Sequence, residues 1–136
     1  MAFEQPVQSA IAHTITQLQR AVTNLIYMSE TDAPLEVVHW QQNPEDLKAL
    51  ITDKPGQPIQ TVPLEQFFRS QTQERDWHND NERDRARRFQ ALVALLKQHL
   101  QDIQVFKVGS VEKTAYVLGQ APGGSIIGLK TTVVET

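Results

Sequence analysis

Thr136 closes the chain and so brings together a side-chain hydroxyl and a free carboxylate, both hard oxygen groups of the kind Mg²⁺ accepts. The five residues before it, Thr131-Thr132-Val133-Val134-Glu135, keep a β-type composition up to that point. A strand running this close to a terminus pins a tail that otherwise frays. The expectation is a stiff tail that presents oxygen to something outside the protein. If the strand ends near Val134, the two residues beyond it reach no more than ~7 Å in extended backbone.

Trp77 is the second residue of interest. It stands in the polar stretch from Ser70 to Asp80, flanked by Asp76 and His78, where no apolar periodicity calls for an indole. Tryptophan is enriched among residues that dominate interface binding energy. An indole can equally fold down as a loop anchor on the core. The sequence leaves both readings open.

Other constellations favour bland readings. His13, His39, His78 and His99 are scattered, and without cysteine no zinc-ligand spacing arises. The alternation Asp76, His78, Asp80, Glu82 lacks the glycine and the closing glutamate of a calcium loop, with Arg87 at the twelfth position. A metal site of the protein's own is not expected. Ser29, Ser110 and Ser125 sit in no nucleophile elbow, and Ala121-Pro122-Gly123-Gly124 lacks the lysine and the spacing of a phosphate loop. Glu30, Asp32 and Glu36 offer carboxylates with no base or nucleophile near them in sequence. Arg83, Arg85, Arg87 and Arg88 form one basic cluster. Glu74, Asp76, Asp80, Glu82 and Asp84 balance it, so a solvated helix surface is a better reading than a phosphate-gripping face.

Composition narrows the class further. A chain of 136 residues has enough length for one core. Net charge is −3, the wrong sign for a broad nucleic-acid face. The longest apolar run, Ala91 to Leu96, falls far short of the ~20 residues that cross a bilayer. Residues 1–6 show no basic head followed by an apolar block. A chain that stays in the cytoplasm is expected.

The elements that must position these residues follow from periodicity. Val7, Ile11, Ile15, Leu18, Val22 and Leu25 recur at helical spacing from Pro6 towards Met28, and Ser29 to Pro34 breaks the pattern as an acidic loop. Leu35 to Trp40 reads as a short strand. Residues 41 to 63, with Pro44, Pro55, Gly56, Pro58 and Pro63, read as loop around a possible helical turn at Glu45 to Ile51. Pro63 suits the opening of a short helix through Leu64, Phe67 and Phe68. Ala86, Phe89, Val93, Leu96 and Leu100 mark a second long helix from about Glu82.

Three β-type segments close the chain, Ile103 to Val108, Glu112 to Leu118 and Ser125 to Val134. Pro122-Gly123 suits the centre of a type II turn between the last two. Apolar residues fall on both faces of the first and last of these strands, so both faces need cover. The predicted fold is α+β, an antiparallel β-sheet sandwiched between helices.

Against this background, three stretches closely resemble the nuclease A inhibitor (NuiA) family: Asn24 to Trp40 (NLIYMSETDAPLEVVHW), the block from Phe67 through Asp76-Trp77, and the C-terminal run from Val105. The most telling pieces are Met28-Ser29-Glu30, Asp76-Trp77 and Val133-Val134-Glu135-Thr136. The likeness spans nearly the whole chain apart from the first ten or so residues and the loop at 41 to 60.

The resemblance implies an α/β/α sandwich of the pathogenesis-related-protein kind. It implies a single domain over 1–136 that is no enzyme and needs no cofactor, and that inhibits a sugar-non-specific, Mg²⁺-dependent nuclease as a 1:1 complex. Glu30, Trp77 and Thr136 fall where the family has its principal partner contacts, with the terminal threonine reaching the partner's Mg²⁺. All three must then open onto one surface. The alternatives are an interaction module of the same fold with a changed partner, or a weak nucleic-acid binder. One departure bears on association: the family is mostly acidic after the tryptophan, whereas the four arginines here offset the acids. The resemblance therefore implies weaker electrostatic steering.

Overall fold

The computed structural model describes residues 5–41, 44–51 and 56–135. Helix α1 (Gln5–Val22) carries the expected stripe, with Leu18 and Val22 buried. It stops at Val22 although the apolar spacing continues to Leu25. Asn24 adopts a left-handed backbone, φ 57°, which no helix interior accommodates. The chain then leaves as strand β1 (Ile26–Met28), which pairs antiparallel with β2 (Asp32–Pro34). The stretch expected as an acidic loop is thus the tip and return arm of a hairpin. Strand β3 (Glu36–Trp40) follows where a strand was expected.

Residues 41–63 hold more structure than their prolines suggest, although 42–43 and 52–55 lie outside the described residues. A 3₁₀ turn at Leu47–Leu50 is capped by the Asp46 carboxylate, which accepts from the Lys48 N–H at 3.0 Å. Strand β4 (Ile59–Val62) then joins the main sheet as an edge strand, the setting in which flanking prolines do least harm. Helix α2 (Leu64–Thr72) opens directly after Pro63. Helix α3 (Asp80–His99) starts at a capping box, with the Glu82 N–H donating to Asn79 Oδ1 at 2.8 Å and the Asn79 N–H to Glu82 Oε1 at 3.1 Å.

Strands β5 (Gln101–Val108), β6 (Glu112–Gln120) and β7 (Ile126–Val134) complete an antiparallel sheet of order β3-β7-β6-β5-β4. Between β6 and β7, the Gly124 N–H donates to the Ala121 C=O and Gly123 sits at φ 82°, ψ 0°. That is the conformation a type II turn requires of its third residue.

Both faces of the sheet are covered, as the alternation demands, but unequally. Val105, Val117, Leu129 and Val133 pack against all three helices through Leu18, Phe67, Phe89 and Leu92. Phe106, Leu118 and Ile126 on the other face pack on Leu47 and Ile51 around the 3₁₀ turn. The fold is α+β, with all three α-helices on one face of the sheet and, among the described residues, the 3₁₀ turn covering the other. All three helices lie on the same face, where α3 touches both α1 and α2.

This connectivity decides which end of the molecule is which. Only Leu100 separates α3 from β5, so helix and strand run antiparallel over similar lengths, ~30 Å at 1.5 Å per residue and ~26 Å at 3.3 Å per residue. The N-terminus of α3 therefore lies at the same end as Val108, and strand pairing carries Glu112 and Val134 to that end as well.

Candidate functional site

At this end the hairpin tip and the end of β7 are stitched together. The Ser29 hydroxyl donates to the Thr31 C=O at 3.0 Å and accepts from the N–H groups of Thr31 at 3.3 Å and Val134 at 3.1 Å. Its one proton and two lone pairs are all engaged. Glu30, exposed at the tip, donates its own N–H to the Val134 C=O at 3.3 Å. Both backbone groups of Val134 are thus held by the tip. On the other side the Glu135 N–H donates to the Val111 C=O at 3.0 Å. Thr136 lies outside the described residues, so the structure follows the tail as far as Glu135.

The hairpin is fixed from behind by Gln71 on α2. Its buried amide donates to the Met28 C=O at 2.8 Å and accepts from the Met28 N–H at 3.1 Å, imitating a neighbouring strand. Replacing Gln71 with Leu strands both backbone groups, and we expect a loss of about 2–3 kcal/mol in denaturant unfolding.

The carboxylate of Glu135 bonds Lys107 Nζ at 2.6 Å and lies 3.8 Å from Lys113 Nζ. These three charges extend by one position the helix-facing rows that end in Val105, Ala115 and Val133. The hydrogen bond from Lys107 holds the Glu135 carboxyl below the usual carboxylate range, against some desolvation and helped by the charges of both lysines. Sequence reasoning missed this cluster. Its signal was an acid and two lysines continuing an apolar alternation, legible only once the register is known.

Trp77 stands on the loop between α2 and α3, 74% exposed. The core-anchor reading is therefore overturned. The loop is nevertheless well tied: the His78 N–H donates to the Arg75 C=O and the Arg75 N–H to His78 Nδ1, each at 3.1 Å, and Arg83 reaches the Asp76 C=O at 3.3 Å. The Arg75 guanidinium sits 5.4 Å from the indole centroid. Among the described residues the other large exposed apolar side chains are Met28, at 40%, and Val111, at 51%. Met28 precedes the hairpin tip. Val111 lies in the β5–β6 turn that holds Glu135, a turn made possible by Gly109, whose φ is 124° and where any Cβ would fall 2.6 Å from the Glu112 C=O. By the direction of α3 and the strand pairing, Trp77, Met28 and Val111 belong to the same end of the sandwich as Glu30 and Glu135.

A family model described as nuclease A inhibitor-like protein matches residues 12–136. The chain belongs to that family. Comparison with curated proteins gives no match. For a nuclease A inhibitor-like protein the partner class that membership implies is a nuclease.

The basic cluster of Arg83, Arg85, Arg87 and Arg88 has largely internal employment. Arg88 donates to the Ala21 and Thr23 C=O groups at 3.0 and 2.7 Å, closing the end of α1, and Arg87 pairs with Glu74 at 3.0 Å. With Arg83 on the Trp77 loop, three of the four arginines tie α3 to its neighbours. Among the described residues no three His, Asp or Glu side chains gather as a metal site, and no helix is long and apolar enough to cross a membrane.

Tyr27 links this end to the core. Its ring stacks on Phe67 at 4.7 Å between centroids and its hydroxyl donates to the Phe67 C=O at 2.6 Å. Burial pushes the phenol up to about 12, and the charge of Glu135 adds to the shift. A folded pKa above the unfolded value of 10.0 means that this group's contribution to stability is complete below pH 10 and is lost as pH rises towards 12. Urea unfolding should therefore show stability falling across that window with a slope approaching about 1.4 kcal/mol per pH unit, and Tyr27→Phe should flatten that part of the profile.

Proposed function

We propose that the protein is a single inhibitor domain over residues 1–136 that blocks the active site of a sugar-non-specific, Mg²⁺-dependent DNA and RNA endonuclease. Glu30, Trp77 and Thr136 make the central contacts, with Thr136 reaching the nuclease's Mg²⁺. In this reading the chain is a 1:1 protein ligand in the cytoplasm and not an enzyme, and the metal belongs to the partner, so it needs no cofactor.

The observation that supports this most is the bond from the Glu30 N–H to the Val134 C=O. It holds an acidic tip beside the residues that lead to Thr136, at the end of the sheet where Trp77 is exposed. A magnesium nuclease keeps exchangeable water on its metal and a cationic groove for phosphates, so oxygen and negative charge at the right depth can replace its substrate. An exposed indole at the same end supplies buried area and excludes water around the contact. Direct nucleic-acid binding is disfavoured, because Arg83, Arg87 and Arg88 are occupied within the protein.

Titrating the purified chain into such a nuclease while following DNA cleavage tests the reading. A linear fall to zero activity at one equivalent is expected. Full cleavage activity under a large excess of the protein would overturn it and leave an interaction module with a changed partner.

A further inference from the structure

We infer that Glu135 is a positioning residue: held by Lys107 and Lys113, it fixes the direction in which the chain leaves the sheet towards Thr136, an inference that rests on the inhibitor reading. The side chains of Lys107 and Lys113 are only 13% and 15% exposed, whereas Glu135 is 41% exposed. Exposed ion pairs add little stability, and taking two ammonium groups largely out of water for one carboxylate is a poor way to gain any. Such an arrangement is good at defining a direction. Lys107 has little room to swing away, being 13% exposed, and its Nζ also lies 5.9 Å from the centroid of the Phe67 ring, which Tyr27 stacks upon. A continuous chain of contacts therefore runs from the aromatic core through Lys107 to the carboxylate one residue before the end.

The backbone is held as firmly. Ser29 and Glu30 take both polar groups of Val134, and Val111 takes the Glu135 N–H. The Glu135 side chain adds the constraint that backbone bonds leave open, rotation of residue 135 about the strand axis. A group that must meet a metal is sensitive to small misplacement, so the supporting shell matters as much as the contact itself.

The test is a double-mutant cycle between Glu135→Gln and deletion of Thr136. In the full chain, Glu135→Gln should raise the inhibition constant against a sugar-non-specific magnesium nuclease by about ten-fold, and in the chain lacking Thr136 by less than about two-fold. Lys107→Met should act as Glu135→Gln does. Equal effects in both backgrounds would make Glu135 a direct contact and sink the inference, as would no effect in the full chain. Amide exchange in the free protein gives a second readout. Glu135→Gln should speed exchange of the residue 135 amide and leave Val117 and Leu129 protected. Unchanged exchange at 135 overturns the inference even if the wild-type chain inhibits nothing, whereas lack of wild-type inhibition alone defeats the inhibitor reading.

Discussion

Truncating Trp77 to alanine should weaken nuclease binding by about 2–4 kcal/mol, roughly 30- to 1,000-fold in Kd, while shifting unfolding stability by less than about 0.5 kcal/mol. The two halves of this expectation have separate causes. Three-quarters of the indole surface faces solvent, so its removal opens no cavity in the free protein and leaves no buried polar atom unpaired. Its loop is organised by the Arg75–His78 turn, the Arg83 contact and the Asn79 capping box, none of which needs the ring. A large aromatic on a tied loop loses little freedom on binding, which is the property that makes tryptophan effective at interface centres. Calorimetry with the nuclease and thermal unfolding of the free chain check the two parts. An unfolding loss comparable to the binding loss would mean that the ring is structural.

Deleting Thr136 should have an effect of similar size, about 3 kcal/mol or some 100-fold in inhibition, again with the fold intact. The structure supplies the reason for the selectivity. Every described anchor of the tail, from the Ser29 hydroxyl on Val134 to the lysines on Glu135, lies upstream of the deleted residue. Thr136→Ser, which keeps the hydroxyl, should recover most of the loss. If the deletion inhibits as well as the full chain, the terminal residue has no part in the contact, and binding must rest on Glu30 and Trp77.

The arginines bear on how fast such a complex forms. With a net charge of −3 and the basic cluster adjacent to the acids of the same segment, steering towards a basic groove is weak. Association is expected to depend only modestly on ionic strength, with affinity residing in slow dissociation.

Local patterns in the chain determined much of this. The steps of three and four through Leu18, Val22, Phe89 and Leu96 specified two helices, because a stripe of that period has no other way to be buried on one side. The alternation through Ile103, Val105, Phe106 and Val108 specified a strand with two apolar faces, and Pro122-Gly123 specified its neighbour's turn. The composition of the tail and the oddity of a tryptophan among charges singled out Thr136 and Trp77 before any fold was known.

Tertiary structure decided what no local pattern encodes. The periodicity carried α1 on to Leu25, but the chain turns at Asn24 because Ile26 to Met28 gain more as a strand against Ala33 and Gln71 than as another helical turn. Strand β4 lay hidden between two prolines, tolerable only because it is an edge. Whether Trp77 packed inward or faced water depended on where the end of α2 meets the start of α3. The register of β5, β6 and β7 alone brings Glu135 to Lys107 and Lys113, which lie far from it in the chain. Residue types fix which chemistry is available, since each carries its own donors, charges and apolar area. Which of those groups meet, and which face outward, is set by long-range pairing, whose energy comes from contacts that sequence neighbours do not share.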